Sequence, residues 1–333
     1  MENNIINNDQ MSVQFEQITT LIRNTHQTVS RVANKALIDL YWTIGEYISK
    51  RVEAEHWGKG VVKELADYIE KTSPETKGFS ASNLWRMKQF YETYTTDTKL
   101  ATLLREISWS NNLLILSRAK SAEEREFYLR LALKERLSNR ELNRQINSCI
   151  FERSMLGQAK LAPMLRDFIP DAENLFRDQY VMEFITGKEA KPENTFRLAL
   201  IHKMKNFILE LGKDFIYMDE EYRLQVGMSD FRIDLLFYHR ELQCLVAFEL
   251  KTDAFKPEYL GQLNFYLEAL DRDVKKPKEN PSIGVLLCKS KDDEVVEYAL
   301  SRSMSPTMVA EYQLHLPDKK ILQERMKQLF EQM

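Results

Sequence analysis

Halfway along the chain the apolar pattern changes period. From Val13 to Ile48, apolar residues recur at helical spacing, as Ile18, Leu21, Ile22, Val29, Val32, Ala36, Leu37, Leu40, Tyr41 and Ile44. That spacing predicts an amphipathic helix. Gly58-Lys59-Gly60 interrupts it, and Val61 to Ile69 resumes the pattern. Ser73-Pro74 and Lys77-Gly78 mark a turn. Ser80 is placed to cap a helix over Ala81 to Tyr94. Helical spacing continues over Ser110 to Leu116 and Ser121 to Leu137. Ser138-Asn139-Arg140-Glu141 is a capping box that opens a helix running to about Arg153. The first half therefore reads as mainly α.

The stretch from Gly157 to Pro192 is broken by Pro163, Pro170 and Gly187, and a domain boundary is expected between Arg153 and Phe176. This gives a helical domain over residues 12–160 and a second domain over 175–333. The second domain opens with a long helix from Glu193 to Leu211, with Gly212 as its C-cap. Strand-like runs follow at Phe215 to Met218, Tyr222 to Val226, Phe231 to Tyr238 and Cys244 to Leu250. After Pro257, residues 258–270 read as a helix. Ser282 to Cys288 is an apolar run of the kind found in a covered sheet. Val295 to Leu300 reads as helix and Met308 to Leu314 as a last strand. An α/β domain with a mixed sheet flanked by helices follows.

Composition narrows the function classes. At 333 residues, two domains are the natural expectation. The net charge of -3 carries no global nucleic-acid signature, so any such surface is a local patch. Cys149, Cys244 and Cys288 are far apart, and the five histidines form no zinc-binding spacing. Glycine is scarce and no phosphate-binding loop is present, which argues against nucleotide-dependent chemistry. No run is long enough to span a bilayer. The Asn-rich Met1 to Gln10 lacks the apolar core of a signal peptide, so a cytoplasmic protein with a frayed start is expected.

Two apolar strands carry charge where a buried strand should carry none. Asp234 interrupts Phe231 to Tyr238, and Glu249 and Lys251 end the run from Cys244. Buried carboxylates are costly unless compensated. Glu249 and Lys251 are two apart and share a strand face. Asp234, on the neighbouring strand of a hairpin, can reach Glu249. Paired carboxylates favour a shared proton or a shared cation. Oxygen ligands with water suit Mg²⁺ or Mn²⁺, which lower the pKa of bound water. Lys251 is then placed to assist the attacking water or to neutralise developing charge. The competing reading is a strand-end ion pair beside a surface carboxylate.

Asp234-x14-Glu249-Leu250-Lys251 within a helix-β-β-β-helix-β order resembles the PD-(D/E)XK nuclease fold. The segments 233–239, 255–259 and 261–267 resemble more closely the YhcG-like family, as do Tyr41-Trp42-Thr43-Ile44-Gly45, 78–84, Ser108-Trp109-Ser110 and 137–142 in the first half. Ile233 stands where the superfamily motif has proline. The resemblance implies a restriction-endonuclease-like domain behind a helical one. It implies that Asp234, Glu249 and the Leu250 carbonyl bind metal, that Lys251 is catalytic, and that Gln262 is an accessory residue. It further implies a nuclease in restriction, phage defence or genome maintenance, with defence-system partners. DNA is the expected substrate, although the motif is equally compatible with RNA. A catalytically silent binding or assembly module is the alternative. Cutting both strands with one site per chain favours a homodimer. Glu210 is expected at the surface, and Tyr266 in the core.

In the helical half, a helix–turn–helix arrangement is visible around Val61 to Tyr94, its second helix bearing Asn83, Arg86, Lys88 and Gln89. Residues 118–166 are locally basic. Arg86, Lys88, Arg140 and Arg144 are the candidate nucleic-acid contacts, against the plainer reading of solvated helix faces.

Overall fold

A computed structural model describes the backbone of residues 2–331, apart from 56, 98, 158–159 and 169–174, and side chains from residue 15 to 328 within those limits, apart from residues 55 and 168. Pro170 and His56 lie outside the described residues. The chain divides into two compact units, residues 1–143 and 144–333.

The first unit is helical: α1 Glu2–Glu55, α2 Lys59–Thr72, α3 Ala81–Tyr94, α4 Ala101–Glu106, α5 Trp109–Arg118 and α6 Ala122–Lys134, with α7 Asn139–Asn147 crossing into the next unit. α1 begins at Glu2, where a frayed start was expected. The caps stand where sequence places them. Ser80 accepts the Asn83 N–H, and the Ser138 N–H donates to Glu141 Oε2 at 2.9 Å. α1 and α3 meet through Ile48, Leu84, Met87 and Phe90, all fully buried. Gly45 permits this approach, because a Cβ there would lie 2.2 Å from the Met87 carbonyl oxygen.

The second unit is a seven-stranded mixed sheet between two helical layers. After α8 Ile150–Leu156 come β1 Lys160–Leu161, α9 Pro163–Phe168, β2 Gln179–Val181, α10 Glu193–His202 and α11 Met204–Leu211. Then follow β3 Phe215–Val226, β4 Ser229–His239, β5 Cys244–Leu250, α12 Tyr259–Ala269, β6 Ile283–Cys288, α13 Asp293–Leu300, β7 Thr307–Gln313 and α14 Lys319–Glu331. The strand order is β1-β7-β6-β5-β4-β3, with β2 also on β7. β3, β4 and β5 form an antiparallel meander, while β5, β6 and β7 run parallel. Every residue of β5 is buried, as the centre of a sheet covered on both faces requires. Phe196, Phe207, Phe215, Phe237 and Phe248 fill one layer, and Leu236, Ala247, Leu263, Leu267 and Leu286 the other.

The second layer is tight where α12 crosses β6. A Cβ on Gly284 would stand 2.8 Å from Leu263 Cγ. Gly284→Ala is expected to cost about 1–3 kcal/mol by overpacking, read as a lower urea midpoint with an unchanged slope.

Two expectations change. The single helix over 193–211 is two, broken at Lys203, whose backbone leaves the helical region and whose Nζ is tied to Glu189 and the Phe184 carbonyl. Gly212 does end the second helix, at φ +126°. The two short strands around 215–226 are one continuous β3, with a register shift between Tyr217 and Asp219. Its Asp219-Glu220-Glu221 run reads as a turn, but on an edge strand charge faces solvent and blocks further pairing. By compactness alone, the chain divides between Asn143 and Arg144. Residues 144–181 of the second unit supply β1 and β2 to the sheet.

Candidate active site

The hairpin of β4 and β5 brings the charged residues together. Leu235 pairs with Phe248, so one step further the register sets Asp234 opposite Glu249. Asp234 Oδ2 accepts the Leu250 N–H at 2.8 Å, which locks its carboxylate across the strand end. Lys251 follows the last residue of β5 and donates from Nζ to Glu249 Oε1 at 3.0 Å. Its backbone N–H is held by the Leu287 carbonyl of β6. Glu249 is 3% exposed and Lys251 8%. Glu249 and Lys251 thus form a buried ion pair, with the half-buried Asp234 beside them.

Electrostatics reflect the burial. Desolvation pushes the Asp234 carboxyl up from its ordinary range, against the Leu250 N–H and Lys251. The Glu249 carboxyl rises as well, through burial and then the nearby Asp234 charge. Burial alone would lower the Lys251 ammonium, but Glu249 outweighs it and holds it above the ordinary lysine value. Lys251 thus stays a cation inside the site.

The structure adds residues that sequence reading missed. Glu193, the first residue of α10, places Oε2 3.5 Å from Lys251 Nζ. One turn on, Arg197 is 6% exposed, pairs with Glu221 at 3.1 Å and contributes positive field at Asp234. The Tyr259 ring lies under Lys251, 5.2 Å from ring centroid to Nζ. Pro192-Glu193 at a helix start was the available signal for Glu193, but an acidic residue there is commonplace.

Gln262 lies on α12 and donates to the Tyr266 hydroxyl at 2.6 Å. Tyr266 is buried as expected, yet it also feels the Glu249 and Asp234 charges. Arg86 and Arg140 are exposed. Lys88 is paired with Glu92 at 2.5 Å, and Asn83 is bound by Trp109 and the Gly78 carbonyl. Arg144 is engaged with Glu183 and Glu210. Glu210 is not at the surface. It is fully buried, within 3.3 Å of Arg144, Arg153 and Arg177.

The donor set fits a hard divalent cation. Glu249 Oε2 is buried with no hydrogen-bond partner, beside a second carboxylate. Among the described residues, no group of three or more His, Cys, Asp or Glu side chains is arranged to hold a metal. A cation here would therefore take two carboxylates and complete its shell from backbone oxygen and water.

Comparison with known proteins bears on both halves. The model of the YhcG PDDEXK nuclease domain matches residues 173–327, and that of the DUF1016 N-terminal domain matches 17–153. The Escherichia coli (strain K12) protein named "Putative nuclease YhcG" is 31% identical over 348 residues, covering 93% of this chain and 92% of its own length. This chain belongs to the YhcG nuclease family. It is accordingly a hydrolytic enzyme of the nuclease class, with the restriction-endonuclease-like fold in its second half. PD-(D/E)XK nucleases, of which YhcG proteins are a branch, generally use divalent metals.

Two solved structures are distant neighbours. A repair endonuclease from Pyrococcus abyssi matches with a TM-score of 0.26 and 16% identity, over 38% of this chain and 49% of its own. A complex of EndoMS with dsDNA matches with a TM-score of 0.23 and 18% identity, over 36% and 46%. No helix among the described residues is long and apolar enough to cross a membrane.

Proposed function

We propose that the enzyme hydrolyses phosphodiester bonds of DNA with Mg²⁺ or Mn²⁺ held by Asp234, Glu249 and the Leu250 carbonyl. The observation that carries this reading is the buried Glu249–Lys251 pair beside half-buried Asp234, with Glu249 Oε2 left unpartnered. A bound cation supplies an activated water and stabilises charge on the phosphate. Asp234 and Glu249 present oxygen from opposed strands, and the Leu250 N–H fixes one of them. Lys251 holds positive charge beside the reacting atoms. Glu193 and Tyr259 hold that ammonium in place. Gln262 acts from the adjoining helix with Tyr266. Arg86 and Arg140 offer free guanidinium groups to phosphates, whereas Lys88 and Arg144 are committed to ion pairs. Restriction, phage defence or genome maintenance are the settings such an activity serves.

The test is a screen over supercoiled, linear, nicked, branched and single-stranded DNA, with RNA in parallel. Cleavage is expected with Mg²⁺ and is expected to vanish on chelation. A protein that binds DNA equally well with and without Mg²⁺, and nicks nothing, would be a binding module. Cleavage confined to RNA would remove DNA as substrate.

A further inference from the structure

The apolar stripe of α1 is only half explained by the fold. Along its second half, Asn34, Ile38, Tyr41, Gly45 and Ile48 lie at alternating spacings of four and three, and this edge faces the helical core. Ile38, Tyr41 and Ile48 are buried, Asn34 donates to the Arg105 and Ile107 carbonyls, and Gly45 meets α3. A second stripe runs along another side of the same helix. Phe15, Ile18, Ile22, Thr25, Val29, Val32 and Ala36 are spaced three, four, three, four, three and four apart. That is a heptad seam with Phe15, Ile22, Val29 and Ala36 at a and Ile18, Thr25 and Val32 at d. All seven are exposed, and so is every residue from 15 to 33. Five of them, with neighbouring Leu21, are more than half exposed. The seam covers three heptads, about 33 Å of helix, and ends before Asp39, which pairs with Arg105.

We infer that this seam is a self-association surface, on which α1 of a second copy lies parallel and in register as a two-stranded coiled coil. Three observations favour a second copy over another occupant. A 3–4 seam is complementary to a helix of the same period, length and phase, and α1 itself is such a helix. Apolar side chains stand at both seam positions, Ile22 and Val29 at a and Ile18 and Val32 at d, so a second copy in register meets apolar surface at each of these layers. The flanking e and g positions bring Leu21 to His26, Thr28 to Ala33 and Lys35 to Leu40 across the pair, so no like charges oppose. Nineteen consecutive exposed residues, including four Ile and Val, gain little helical stability without such a partner. This inference does not rest on the catalytic reading.

Sedimentation of the full chain at micromolar concentration tests it. The wild type is expected at twice the 39.3 kDa chain mass, and the double variant Ile22→Glu/Val29→Glu at half the wild-type value. The outward control Gln27→Glu is expected to remain dimeric. Because residues 15–33 contact no core, the cooperative thermal transition of the rest should be unchanged in all three. Thr25→Cys is expected to cross-link to its own copy on mild oxidation, and Gln27→Cys is not. The native cysteines are buried. A monomeric wild type, a seam variant that stays dimeric, or failure of the Thr25→Cys cross-link would each overturn the inference.

Discussion

Lys251→Met is expected to lower kcat by about 10²–10³-fold, roughly 2.7–4 kcal/mol of transition-state stabilisation, with little change in KM. The unbranched apolar stem against Tyr259 is kept to within one atom, and the charge is lost. Lys251 is 8% exposed, so water does not replace that charge. Its three neighbours, Glu249, Glu193 and Asp234, are all acidic, and each contributes to keeping it protonated. Lys251→Arg is expected to rescue poorly, because a planar guanidinium does not fit a slot shaped around a compact ammonium. Single-turnover cleavage with Mg²⁺ in excess separates kcat from binding. An unchanged kcat in Lys251→Met would remove this residue from the chemistry.

Glu210→Ala is expected to destabilise the second unit by about 3–5 kcal/mol, because it leaves buried Arg153 and half-buried Arg177 without their shared counter-charge. Glu210 lies within 3.1 Å of both Arg144 and Arg153 and 3.3 Å from Arg177, and it also accepts the Val181 N–H. Burial alone would raise its carboxyl, but Arg153, Arg177 and Arg144 together hold it below the ordinary glutamate value. The sign of the pH effect follows. A depressed native pKa contributes stability above the unfolded pKa and loses it as pH falls through the native value. Urea titrations across the acid range should show the wild type losing this contribution, while Glu210→Gln, already weaker at neutral pH, follows a flatter curve. Equal midpoints for wild type and Glu210→Ala at pH 7 would contradict the assignment.

The Asp234–Glu249–Lys251 set proposed as catalytic stood out in the sequence because it violates its surroundings. Charge inside Phe231 to Tyr238 and at the end of Cys244–Leu250 has no cheap structural explanation. Glu193 was not legible, since an acidic residue opening a helix needs no special reason. Glu210 was misplaced because one carboxylate near a helix end looks solvated, and its three arginines come from distant sequence. The sheet centre was readable from apolar runs, whereas β1 and β2, two and three residues long, are too short to display a period. The α1 pattern was readable as helix, but period alone could not tell which positions meet the chain's own core.

The Glu210 cluster also bears on how the chain can be cut and recombined. The two family matches leave a gap between residues 153 and 173, which invites a break there when the halves are expressed or exchanged separately. Such a break leaves Arg177 with Glu210 and carries Arg144 and Arg153 away on the other fragment. It also strips β1 from the sheet margin if made at residue 173. A nuclease fragment that begins ahead of Arg144, inside the stretch that sequence similarity assigns to its neighbour, keeps all three arginines with Glu210.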